Sequence, residues 1–148
     1  MLIIIGFLFT ILISVSVGIM TGYGAYLMDV PSALLTLVFL FFFLFASKSG
    51  SIISRYIKSS FKKNYNYTKA ELVSLSTAIK NTIKFTLAAG VFGFFTGAIT
   101  CLAVRRKEEL GANVAIALIT VFYAIIVSYI IFFPVQAWAE NKLNAMGE

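Results

Sequence analysis

The chain has 148 residues, of which 60% are hydrophobic and 12% charged, and its formal net charge is +6. A water-soluble domain carries about 25% charged residues, so these proportions exclude an ordinary soluble fold and point to a protein solvated by lipid. With one cysteine and no histidine, the chain can form no internal disulfide and lacks the usual means of holding a metal.

The first apolar run, Leu2 to Met28, has no charged residue. It is long enough to cross ~30 Å of hydrocarbon with some tilt. No basic residue precedes it and no small-residue cleavage site follows a short core, so a cleaved signal peptide is the poorer reading. The second run is Pro31 to Ser47. The break between them, Met28-Asp29-Val30, predicts a tight hairpin at the membrane surface, because bare backbone polar groups cannot be left in lipid. There Asp29 caps the second helix by accepting from the Ser32 amide. Pro31 lies in the first turn, where its missing donor costs little. The aromatic run LVFLFFFLF suits a lipid-facing surface.

From Lys48 to Lys84 the character changes. Eight basic residues stand against a single acid, Glu71, which places residues 48–84 in the cytoplasm together with both termini. Tyr23 and Tyr26 then fall at the outer interface and Trp138 at the inner one. Ile52, Ile53, Tyr56, Ile57 and Phe61 recur at helical spacing. They predict that the second helix continues past the bilayer, despite Gly50. Thr68 and Glu71 have the spacing of a capping box. No proline follows until beyond Val104, so the third helix is expected to run unbroken from about residue 68 to 104, with roughly 20 Å in the cytoplasm. Two projecting helices would make a short stalk; the alternative is a basic amphipathic segment lying on anionic lipid.

The third crossing is Phe85 to Val104 and the fourth Ala112 to Phe133, followed by a cytoplasmic tail at 134–148. Thr86, Gly90, Gly93, Gly97 and Thr100 form a row without bulk along the third helix. Asn113, Ala117, Thr120, Ala124 and Ser128 form a weaker row on the fourth. Such faces let helices pack closely; they can also line a path for water, an ion or another helix. Within the four crossings there is no Asp, Glu, Lys, Arg or His. A chain that moves protons unaided normally keeps an intramembrane carboxylate or histidine, so a carboxylate for proton movement would have to come from a partner. No triad, paired acids or phosphate-binding loop stands in the sequence, and a non-enzymatic role is expected.

Three stretches carry a resemblance. DVPSALLTL at Asp29 to Leu37, GVFGFFTG at Gly90 to Gly97, and LGANVAIALITVFYA at Leu110 to Ala124 with IIFFPVQAWAENKL at Ile130 to Leu143 are similar to segments of the MotA/TolQ/ExbB proton channel family. The order of two crossings, cytoplasmic segment and two crossings resembles the MotA and PomA flagellar stator branch more than the three-crossing TolQ and ExbB branch. The resemblance implies an all-α membrane protein of four transmembrane helices forming a ring of five copies. It implies a single-pass partner like MotB, ExbD or TolR, whose aspartate faces the third and fourth helices. It also implies an ion-driven machine in the bacterial inner membrane, with no cofactor and no nucleic-acid partner.

Carried over, the ion path and partner-facing residues are Thr86, Gly90, Gly93, Thr96, Gly97, Thr100, Thr120, Tyr123 and Ala124. Pro134 holds the position of a helix end or gate, and Asp29 and Pro31 the hairpin. Val121 and Phe94 stand where the family has threonines. The loss of two oxygen ligands favours protons over sodium as the transported ion. The family's proline ahead of the fourth helix is replaced by Ala112 or Asn113. The cytoplasmic segment is far shorter than in flagellar stators, so the load need not be a flagellar rotor. The competing reading is a non-conducting multi-pass scaffold or assembly protein. A small-molecule transporter is disfavoured, because no inverted repeat with broken helices is discernible.

Overall fold

The computed structural model describes residues 29–60, 65–103 and 110–146, together with isolated positions 12, 16, 20 and 22. The predicted first crossing and the turn at 104–109 lie outside the described residues. Those described form helices and connecting turns, without a strand among them. We number the helices α1 (Val30–Ala46), α2 (Ser49–Ser60), α3 (Lys69–Ala103), α4 (Leu110–Ile126) and α5 (Phe133–Asn144), with a π-helical stretch, Val127–Phe132, joining α4 to α5.

α1 starts as its sequence dictates. The Asp29 carboxylate accepts the Ser32 amide at 2.9 Å and Pro31 occupies the first turn. Its exposed side carries Phe41, Phe42 and Phe45, while Phe43 stacks on Phe85 of α3 at 4.2 Å between ring centroids.

The expected continuation of this helix into a stalk does not occur. Ser47 Oγ lies 2.7 Å from the Phe43 carbonyl and 2.8 Å from Ser49 Oγ, and Lys48 takes a left-handed φ of 56°. The chain therefore leaves α1 and re-enters a helix bent by 91°. A Cβ on Gly50 would stand 3.3 Å from the Leu44 carbonyl oxygen, so glycine lets α2 fold back tightly on the last turn of α1. The amphipathic face of α2 explains the turn energetically: Ile52, Ile53 and Tyr56 pack on a core of Leu72, Leu75, Ile79, Phe132 and Ala139 instead of projecting into water.

α3 runs unbroken for 35 residues, about 52 Å. Its capping box forms: the Glu71 amide donates to Thr68 Oγ1 at 3.3 Å and the Thr68 amide to Glu71 Oε2 at 3.0 Å.

The fourth helix does not stop before Pro134, as the sequence suggested. The Phe133 amide donates to the Ser128 carbonyl five residues back, one turn having widened into the π form. Pro134 then falls in the first turn of α5, where its missing donor and its ring are tolerated. The predicted tail is thus largely a helix. Ala139 is fully buried, and Ser76 Oγ of α3 donates to the Glu140 carboxylate at 3.0 Å.

α3 and the helix from Asn113 to Asn144 are each long and apolar enough to cross a membrane, and the bent pair α1–α2 can supply a third span.

Candidate functional site

α3 and α4 are antiparallel, and their small residues meet in register. A Cβ on Gly97 would stand 2.8 Å from that of Ala117, and one on Gly93 would stand 2.6 Å from Thr120 Cγ2. Gly90 faces Ala124 more tightly still. Gly90 and Ala124 are therefore spent on contact between two helices of one chain, the packing use of such rows, and Gly93 and Gly97 share in it. Thr86 belongs to the same buried face: it is 1% exposed and its hydroxyl donates to the Thr82 carbonyl at 2.8 Å.

α1 lies in the groove between α3 and α4 and covers only part of it. Thr120 Oγ1 lies 3.1 Å from Ser32 Oγ, and the Asp29 amide donates to the Tyr123 hydroxyl at 3.1 Å. These two bonds fix how far α1 reaches. Thr120 is level with Gly93, and from there both α3 and α4 continue for ten residues, to Ala103 and Leu110. That is about 15 Å of helix, of which Asp29, one turn above Ser32, regains only about 5 Å. Asp29 thus sits about 10 Å short of the ends of α3 and α4. The other arm of the expected hairpin, ahead of Asp29, lies outside the described residues.

Beyond the start of α1 the groove is not filled by the described residues. A cavity of about 510 Å³ lies there, floored by Asp29, Pro31, Ser32 and Leu35. Its α3 wall includes Thr96, Gly97 and Thr100, and its α4 wall Asn113, Ala117 and Thr120. The exposed Thr96 and Thr100 donate their protons to the Phe92 and Thr96 carbonyls at 2.9 and 2.8 Å. Their oxygens are left as acceptors. Among the described lining residues Asp29 alone carries charge.

The cavity therefore gathers Asp29, Pro31, Gly93, Thr96, Gly97, Thr100 and Thr120 from the expected set. Thr86, Gly90 and Ala124 stay in the helix contact, and Pro134 stands at the π turn far along the fourth helix. Ser32 and Asn113 complete it. The capping pattern D-x-x-S marked Ser32 as a helix start, but nothing local announced its bond to Thr120, 88 residues away. No group of three or more acids, cysteines or histidines able to hold a metal occurs among the described residues.

A second cluster lies at the other end. Tyr56, Tyr67 and Trp138 are in mutual ring contact, with the Lys142 ammonium 4.9 Å above Tyr67 and 5.2 Å above Trp138. Beside it a cavity of about 250 Å³ is lined by Arg55, Tyr65, Glu71 and their neighbours. The Thr68 amide, and then the Tyr65 hydroxyl at 2.9 Å, hold the Glu71 carboxyl below its ordinary range. The same bond to Glu71 raises the Tyr65 phenol.

The chain matches no family model, no curated protein and no solved structure.

Proposed function

We propose that the chain is a MotA-like subunit of a proton-driven motor or channel complex. It works as a ring, most simply of five copies, around a single-span partner that carries the ion-binding aspartate. The observation that carries this reading is the oxygen-lined cavity between α1, α3 and α4, which sets acceptors at a depth where lipid tails offer none. Thr96, Thr100 and Thr120 line the path to the partner. The long α3 and the basic connection ahead of it agree with the order of crossings that the family resemblance implies.

The test is proton flux in vesicles holding this chain and the product of a neighbouring gene with one apolar span and an aspartate near its start. Thr120→Val keeps the shape and removes the hydroxyl. It should reduce flux severalfold while assembly persists; unchanged flux would take Thr120 out of the path. Mass measurement of the purified complex should show an odd-numbered ring, and a stable monomer would contradict the proposal.

One observation favours a second reading, a non-conducting scaffold: Gly90, Gly93 and Gly97 are occupied in packing α3 on α4. A scaffold predicts no flux with any partner.

A further inference from the structure

The sequence placed no carboxylate within the four crossings, Asp29 being read as the tip of a surface hairpin. The structure bears on the level of that carboxylate along its neighbours. α3 has no charged residue from Phe85 to Ala103, about 28 Å of helix, and Gly93 lies near its middle. Asp29 sits only about 5 Å beyond the level of Gly93. Its half-buried carboxylate thus lies level with the uncharged stretch of α3, on the floor of the cavity.

We infer that this cavity is a monovalent-cation site, for a proton or a sodium ion, with the Asp29 carboxylate as its charged group and neutral oxygens as its walls. One carboxylate oxygen is engaged by the Ser32 amide. The other has no hydrogen-bond partner among the described residues. Thr96 and Thr100 have already donated their protons to backbone, so each turns an acceptor outward, and Asn113 adds an amide. No basic side chain from α1, α3 or α4 lines the cavity to neutralise the carboxylate. Among the described residues the lining therefore favours a cation, since a neutral ligand would leave the charge unmet. The opposing influence is the positive end of α1, which partly offsets the Asp29 charge. The site is thereby suited to passing a cation on, not to holding it. This deepens the proposed function and rests on its membrane setting, but it needs no partner: the chain supplies a carboxylate of its own ahead of any that a partner brings.

The test uses the full chain alone in lipid vesicles, treated with dicyclohexylcarbodiimide, which modifies protonated carboxyl groups shielded from bulk water, and analysed by mass spectrometry of peptides. Asp29 should be labelled, while Glu71 and Glu140 are not. At fixed pH and ionic strength, replacing choline by sodium should also reduce labelling if sodium is the ligand; dependence on pH alone assigns the proton. Thr100→Leu, a change at an exposed position that fills the cavity, should lower labelling severalfold. The inference is overturned if Asp29 stays unlabelled throughout the acid and neutral range, if it reacts only with a water-soluble carbodiimide, or if Thr100→Leu changes nothing. Because no partner protein is present, these results are separate from any failure of the flux experiment.

Discussion

The close approach of α3 and α4 at Gly97 gives the sharpest mechanical prediction. A methyl group there would stand 2.8 Å from Ala117 Cβ and 3.3 Å from Ala117 Cα. Carbon atoms prefer about 3.5–4.0 Å, so the helices must part by about 1 Å. Neither contact atom belongs to a flexible side chain, and overpacking of this kind costs about 1–3 kcal/mol. Against it stands the gain of about 1 kcal/mol when alanine replaces glycine inside a helix. Gly97→Ala should therefore destabilise by up to about 2 kcal/mol net. Gly111, in the first turn of α4, has nothing within 4 Å of its added Cβ. There the same substitution should be neutral or stabilising, by up to about 1 kcal/mol. Combining Gly97→Ala with Ala117→Gly should restore most of the loss and give a coupling energy of at least about 1 kcal/mol. The assay is titration of the protein from mild-detergent micelles into SDS, followed by circular dichroism. If Gly97→Ala stabilises as Gly111→Ala does, with no coupling to residue 117, the described packing of α3 on α4 is wrong.

Three further outcomes follow from local geometry. Lys48 holds a left-handed φ of 56° at the sharp bend. Lys48→Gly should stabilise by about 1 kcal/mol, and Lys48→Val should destabilise, in the same titration. Glu71 has its folded pKa lowered, so its contribution is fully present above the unfolded value of about 4.3 and is lost as pH falls through the lower folded value. The thermal midpoint of the wild type should exceed that of Glu71→Gln at neutral pH, and the difference should vanish at acid pH. Trp138 is the single tryptophan and is held between Tyr56, Tyr67 and Lys142. Tyr67→Ala should therefore shift its emission further to the red, and an unmoved spectrum would mean that Tyr67 does not shield the indole.

Much of the architecture was legible one helix at a time. The Asp29 cap, Pro31 in the first turn, the Thr68–Glu71 box and the unbroken α3 follow from local rules: which side chains satisfy orphan amides, and where no breaker stands. The continuous path of the chain through Pro134 was not legible, because proline ends a helix only if the turn before it cannot widen. That widening is held by Phe132 and Ala139 in the core. The stalk failed for a similar reason. The apolar face of α2 was plain in the periodicity, but its partner, the Leu72–Leu75–Ile79 surface of α3, exists only once the helices assemble.

The candidate site divides along the same line. Residue type alone identified the small and hydroxylated positions of α3 and α4, because spacing on a helix decides which residues share a face. Whether a given position ends in a helix contact or in a cavity depends on the length of the covering helix relative to the two beneath it. Thr86 and Gly90 are buried, Gly90 against Ala124 of α4, while Thr96 and Thr100 are exposed. The depth of Asp29 belongs to the same class. The sequence determined that it begins a helix; the Ser32–Thr120 and Asp29–Tyr123 hydrogen bonds, each joining residues about ninety positions apart, decided how far along its neighbours that helix begins. A charge whose burial depends on such long-range register cannot be located by hydropathy, because hydropathy sums along the chain and register is set across it.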